Sequence, residues 1–367
     1  MKSYGLVLAG GGGKGAYQIG AWKAMREIGV SFHAVAGVSI GAINGALIVA
    51  DDFKAATKLW ENISIEKGVK LDKPLPDPEN LFSKKNWRVL FRQIIKDSGF
   101  DASPVKDFLL QFIDEKKVRD KDIPFGIVTV QMSDKINGLE LFTDDIPEGQ
   151  LIDYILASSN IPLATNIGPE GEKFLDGGIY DNTPVSVLKK QGFNRLVVID
   201  IATIKGVNYN LDFLNSEIVY IRPYDIEDLG ASFDFGSEIV EKRMALGYYD
   251  AKKAFSYLSG KIFYFTPEVF RGLVKKYGPD TVSEREELAY ELKVDRLKVY
   301  SEAEFLSAVK TAFEERKNEQ QDEEPSESEP EVGGEKEKKP SVFRRFVQKR
   351  NSNDFHNAIA LLDNIIL

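Results

Sequence analysis

The chain has 367 residues, enough for a sizeable core in one large or two ordinary domains, and its 43% hydrophobic and 29% charged content is ordinary for a globular protein. A net charge of −9 argues against a general nucleic-acid binder. With no cysteine, disulfides, thiolate catalysis and cysteine-ligated metals are excluded, and with only two histidines, His33 and His356, a multi-histidine metal site is almost excluded too. The lack of cysteine fits a cytoplasmic protein.

The elements follow in chain order. Residues 4–9 (YGLVLA) read as a short buried strand that runs into Gly10–Gly13. A helix is expected from about Lys14 to Ile28, stopped by Gly29. Residues 34–38 (AVAGV) read as a second strand, and 40–50 as a small, apolar, buried helix after Ser39. Strand–helix–strand–helix predicts a mostly parallel sheet covered by helices. Further helices are expected over 52–62, 85–97 and 104–114, the last opened by Ser103-Pro104. Strands return at 125–130, 139–143, 173–175, 195–201 and 217–222, and helices at 236–258, 266–277, 282–291 and 301–316.

Residues 317–340 are rich in Glu, Lys, Ser, Pro and Gly and are expected to form a disordered, acidic linker. Residues 341–367 regain apolar content. Val342, Phe343, Phe346 and Val347 share a helical face with Arg344, Arg345, Lys349 and Arg350 outside it. Phe355, Ile359, Leu362 and Ile366 repeat the spacing. Such a segment docks on a protein surface or lies on an anionic membrane. The short run Tyr4–Ala9 is not a convincing secretory signal, and no stretch reaches the roughly 18–20 apolar residues of a spanning helix.

Gly37-Val38-Ser39-Ile40-Gly41 is a G-x-S-x-G pentapeptide between an expected strand and an expected helix. Serine on such a turn projects above the sheet edge, and flanking glycines let strand and helix approach. The helix N-terminus then directs N–H groups and a positive dipole end at the reaction site. Gly10-Gly11-Gly12-Gly13-Lys14-Gly15 matches G-x-G-x-x-G literally, but a dinucleotide site needs an acid near the end of the next strand and residues 30–38 contain none. A phosphate loop needs Ser or Thr after the lysine, where Gly15 stands. What remains is a turn, or a row of bare N–H groups for a reaction oxyanion.

A base for Ser39 is not obvious. His33 lies six residues earlier, near the far end of the same strand at about 3.3 Å per residue, and His356 lies beyond the linker. A carboxylate is the alternative. Asp176 ends an expected strand and precedes Gly177-Gly178, although Asp-Gly is equally a hairpin dipeptide.

Together, the glycine loop with Lys14, the pentapeptide followed by Ala42-Ile43-Asn44-Gly45, the block Ala157-Ser158-Ser159-Asn160-Ile161-Pro162 and Asp176-Gly177-Gly178 resemble the patatin-like phospholipase family. The resemblance covers about residues 4–200, with weaker echoes at 221–224 and 247–251. It implies a three-layer α/β/α fold with a mostly parallel sheet and a helical C-terminal part, so that 1–316 form the catalytic domain. It also implies a Ser–Asp dyad, with Ser39 as nucleophile and Asp176 as base. Gly11, Gly12, Gly13 and Lys14 would form the oxyanion hole, supported by Gly10, Gly15, Gly37, Gly41, Gly177 and Gly178. The substrate would be a lipid acyl ester, with no cofactor, no metal and no nucleic acid, and with peripheral membrane contact through 341–367 as the added expectation. Asn160 stands where the family has a smaller residue, and Lys14 where arginine is commoner. Acyl transfer to an acceptor other than water, and a non-catalytic lipid- or nucleotide-binding module, are the alternatives.

Overall fold

A computed structural model describes residues 3–63, 100–101, 103–132, 136–160, 164–165, 173–202 and 216–322. The expected helix at 85–97, most of the linker and the C-terminal segment with His356 lie outside them. Contacts divide the chain into two units, Met1–Phe255 and Ser256–Leu367.

The first unit is built on β1 (Ser3–Leu8), β2 (Ser31–Val38), β4 (Phe125–Met132), β8 (Arg195–Ile199) and β9 (Glu217–Ile221). Four parallel pairings join them in the order β4-β2-β1-β8-β9. Two antiparallel strands complete the sheet. β5 (Ile136–Phe142) lies on the outer edge of β4. β7 (Phe174–Asp176) pairs with Thr129–Gln131, just beyond the stretch of β4 that pairs with β2. Between these come two short strands, β3 (Phe100–Asp101) and β6 (Ala164–Thr165), which pair with each other.

The strands are apolar on both faces because both are covered. Val7, Ala34, Ala36, Val128, Leu196 and Val198 meet Val185, Val187 and Leu188 of a short helix, Val185–Lys190, on one side. The other face carries α1 (Ala16–Glu27), α2 (Ile40–Val49) and a long helix, Ser237–Ala254. All ten residues of α2 are buried, as its uniformly small and apolar composition requires. The result is the three-layer α/β/α sandwich implied by the motifs. The helices of this unit are numbered on as α3 (Phe53–Asn62), α4 (Ser103–Leu109), α5 (Glu115–Arg119), α6 (Leu151–Ser158), α7 (Val185–Lys190) and α8 (Ser237–Ala254). Where α1 crosses α8 the backbones touch: a β-carbon on Gly20 would overlap the Met244 carbonyl, and one on Gly247 the Tyr17 carbonyl.

Some boundaries differ from expectation. A 3-10 turn at Gly12–Gly15 precedes α1, so the helix opens at Ala16 rather than Lys14. The stretch 104–114 is broken after Leu109, and α5 starts afresh behind Asp114, whose carboxylate accepts from the N–H groups of Lys116 and Lys117.

In the second unit, α9 (Pro267–Tyr277), α10 (Pro279–Glu291) and α11 (Glu302–Asp322) surround the short parallel pair β10 (Tyr264–Phe265) and β11 (Val299–Tyr300). Phe263, Phe265, Tyr300 and Phe305 form its aromatic core, with edge-on contacts such as Phe265–Phe305 at 5.1 Å. The buried Glu286 carboxylate accepts from the backbone N–H groups of Lys261, Ile262 and Phe263. Helix α11 runs six residues past the expected end at 316, because Lys, Glu and Gln there favour helix and the first proline is Pro325.

Candidate active site

Strand β2 passes directly into α2 at Ser39, which takes φ 54° and ψ −128°. A positive φ in a residue with a β-carbon is strained and persists only where the surroundings enforce it. The surroundings here are tight. A β-carbon on Gly37 would overlap the Gly41 carbonyl, and one on Gly41 the Leu8 carbonyl. The Ser39 N–H, which the turn turns away from its own helix, donates to Ser158 Oγ at 2.8 Å. The buried Ser158 hydroxyl donates in turn to the Val128 carbonyl at 2.6 Å.

Strand β4 brings the partner. Its Val128 pairs with Val38, the residue before Ser39, and its Thr129 pairs with Asp176. The chain therefore delivers Ser39 and Asp176 to adjacent positions along one strand, one from each direction. The Ser39 hydroxyl lies close enough to the Asp176 carboxyl to act on its ionisation. The Asp176 carboxylate also accepts from the Gly178 N–H at 2.7 Å, and its own N–H donates to the Asn160 carbonyl at 2.7 Å. Burial pushes the Asp176 carboxyl above the ordinary carboxylate range, while the Ser39 hydroxyl and the Gly178 N–H pull the other way. Gly177 is packed so closely on β4 that a β-carbon there would overlap the Val128 carbonyl.

The glycine loop lies against this pair. A β-carbon on Gly10 would come 3.3 Å from Ser39 Cβ and would overlap Asn182 Oδ1, while one on Gly178 would come 2.6 Å from the same oxygen. The Asn182 carbonyl accepts from the Gly10 N–H at 3.1 Å, so Asn182 links the loop to the Asp176 turn. The Gly13 N–H is committed: it donates to the Ser232 carbonyl at 2.5 Å. Among the described residues no acceptor takes the N–H of Gly11 or Gly12, nor that of Ile40 at the start of α2. Gly15 packs on the same helix start, its α-carbon facing Ile40 Cγ1 and Trp60. Lys14 is only 3% exposed. Burial lowers its ammonium pKa, the Glu227 carboxylate partly restores it, and Arg243 lowers it further.

His33 sits near the start of β2, at the far end of that strand from Ser39, where its Nδ1 is 2.8 Å from Ser3 Oγ. It does not join the site. No group of three His, Asp or Glu side chains among the described residues could hold a metal ion, and no helix among them is long and apolar enough to cross a membrane. Three contributors carried no role at the level of sequence: Ser158 behind the Ser39 turn, Asn182 between the loops, and Ser232 on the glycine loop. Ser158 stood within a quoted motif block. Asn182 lies six residues past Asp176. Nothing local marks Ser232, which reaches the loop through tertiary packing.

The chain is similar to known proteins over the part that carries these residues. The family profile described as Patatin-like phospholipase matches residues 6–189. "Lysophospholipase nte1" of Aspergillus terreus is 28% identical over 209 residues, which is 55% of this chain and 12% of that one. "Patatin-like phospholipase domain-containing protein 7" of Mus musculus is 25% identical over 203 residues, 54% of this chain and 13% of that one. The match thus spans about an eighth of those relatives' length. The solved structure of VipD from Legionella pneumophila aligns with 99% of this chain and 80% of that chain at 14% identity and a TM-score of 0.42. With the profile covering half of its residues, the chain belongs to the patatin-like phospholipase family.

Proposed function

We propose that the chain hydrolyses acyl ester bonds of lipids through an acyl-enzyme on Ser39, with Asp176 as the base. The observation that carries this reading is the juxtaposition, on neighbouring positions of β4, of a strained, turn-borne serine and a carboxyl whose pKa is raised by burial. A free aspartate is a weak base at neutral pH, and a raised pKa brings it closer to the useful range.

Asp176 takes the hydroxyl proton as Ser39 Oγ bonds to the ester carbonyl carbon. The carbonyl electron pair moves onto oxygen, where the N–H groups of Gly11, Gly12 and Ile40 receive it, with the positive end of α2 and the nearby Lys14 charge adding to the field. The pair returns, the C–O bond to the alcohol breaks, and the alcohol leaves with the proton from Asp176. Water then gives a proton to Asp176 and attacks the acyl-enzyme, and the acid departs as Ser39 regains its hydrogen. Exposed apolar side chains support an apolar substrate: Ile179 and Tyr180, directly after the Asp176 turn, are 60% and 53% exposed.

Hydrolysis of a chromogenic acyl ester and of a lysophospholipid by the Ser39→Ala and Asp176→Asn variants tests the reading. Both variants are expected to lose at least ~10³-fold in kcat. Activity retained by Ser39→Ala would overturn it.

A further inference from the structure

We propose that Arg243, far from the motifs in sequence and outside the reacting groups, is a positioning residue for this chemistry: it moulds the segment 229–236 into the shape that pins the glycine loop. The inference rests on the reading of Ser39 and Asp176 given above.

Arg243 projects from α8 and is 0% exposed. Its guanidinium donates to three backbone carbonyls of one short stretch: Nε to Leu229 at 2.7 Å, Nη2 to Ala231 at 2.8 Å and Nη1 to Asp234 at 2.5 Å. A planar fork spreads its donors over three nitrogens and can gather carbonyls in this way, whereas an ammonium carries all its donors on one atom at the end of a flexible stem. Burial lowers the Arg243 pKa to about 10, so the side chain stays charged at neutral pH. Burying such a charge is costly even with the Asp234 carboxylate acting on it, and apolar packing often serves stability as well.

What the gathered segment does is specific. Between the bonded carbonyls stands that of Ser232, which accepts the Gly13 N–H. The contact is close all along: a β-carbon on Gly12 would overlap the Ser232 carbonyl oxygen, and one on Gly13 would lie 2.5 Å from the Asp234 carbonyl oxygen and 2.9 Å from Arg243 Nη1. Four consecutive glycines have wide conformational freedom. Fixing the Gly12–Gly13 peptide from outside restrains the adjoining N–H groups of Gly11 and Gly12, which stabilise an oxyanion only if they are aimed before the reaction begins. The Arg243 charge is also felt at Lys14 on the same loop.

The test uses the full chain and reads kcat and KM separately, beside a thermal melt and circular dichroism. Arg243→Lys is expected to fold and to lose about 10- to 100-fold in kcat, with KM within about twofold, as loss of aim in the loop predicts. In Arg243→Ala, ethylguanidinium at tens of millimolar should restore kcat several-fold, and ethylammonium should not. A merely structural side chain would not give that selective rescue in a folded variant. Should neither variant fold, Gly230→Ala carries the test. Gly230 holds φ 63° and ψ −158°, a conformation open only to glycine, so its replacement reshapes the segment and leaves α8 and Arg243 in place; the same loss in kcat at constant KM is expected. Unchanged kcat in folded Arg243→Lys or in Gly230→Ala overturns the proposal. So does a rise in kcat, which would make the segment a plug instead of a support. Ser39→Ala in the same assay separates the two claims: activity there defeats the dyad, whereas a dead Ser39→Ala beside a fully active Arg243→Lys defeats only the positioning role.

Discussion

At Asp176, the burial that suits the proposed base works against stability at neutral pH. The fold raises its pKa, so the native state binds a proton more readily than the unfolded chain does. Stability that this residue contributes is therefore present below the unfolded value of about 3.9 and is lost as pH rises through the higher folded value. Asp176→Asn, which cannot ionise, should melt at a higher temperature than the parent protein at neutral pH, and the difference should vanish below about pH 4. A neutral-pH melting temperature at or below the parent's would contradict this. The proposed base acts in its ionised form, so kcat/KM should fall on acidification with an acid limb above the ordinary aspartate value of about 3.9, measured on an ester that is itself stable to acid. Ser158 gives a second residue-scale expectation. Ser158→Ala leaves the Ser39 N–H without its acceptor and should cost roughly 1–3 kcal/mol of stability together with about tenfold in kcat. Urea unfolding and single-ester kinetics measure both, and a fully active variant would mean that the turn holds Ser39 unaided.

At the scale of elements, the site is assembled by strand β4. It pairs with β2 up to Val38 and takes up β7 one residue later, which sets Ser39 and Asp176 side by side. The local motifs were legible in the sequence because their chemistry is short-range: a glycine-flanked serine between strand and helix, a glycine run after a strand, an Asp-Gly-Gly turn. Their meeting was not, since nothing within residues 125–132 announces that one edge accepts two strands running in opposite directions. Helices α5, α6 and α7 carry no legible period either, being eight residues or shorter, with too few turns to show one. The crossing of α1 and α8 is another long-range feature. Gly20 and Gly247 read as unremarkable helix-interior glycines until the backbones are seen to touch. Gly247→Ala adds a β-carbon where the Tyr17 carbonyl lies and should destabilise by at least ~1–3 kcal/mol, whereas the same change at an open helical glycine, Gly272, should be neutral or mildly stabilising. Chemical denaturation of the pair decides, and equal effects would refute the close crossing.

For the molecule as a whole, the mostly parallel sheet and its covered faces were foreshadowed by the first fifty residues, where hydrophobic runs and glycine punctuation agree with each other, and the family by those motifs together with Ala157–Pro162 and Asp176-Gly177-Gly178. Less of the site's support could be read there, because Ser158, Asn182, Ser232 and Arg243 act through backbone carbonyls and amides of distant segments, and a backbone group leaves no residue-type signal. Deletion of 341–367 remains the direct test of the expected peripheral membrane contact: loss of co-sedimentation with anionic vesicles supports it, and unchanged binding opposes it. Treatment of the intact chain with a fluorophosphonate, followed by mass mapping of the adduct, should place one label on Ser39, abolish ester hydrolysis in step with labelling, and leave Ser39→Ala unlabelled. A label on another residue, or hydrolysis that survives full labelling of Ser39, would contradict the account.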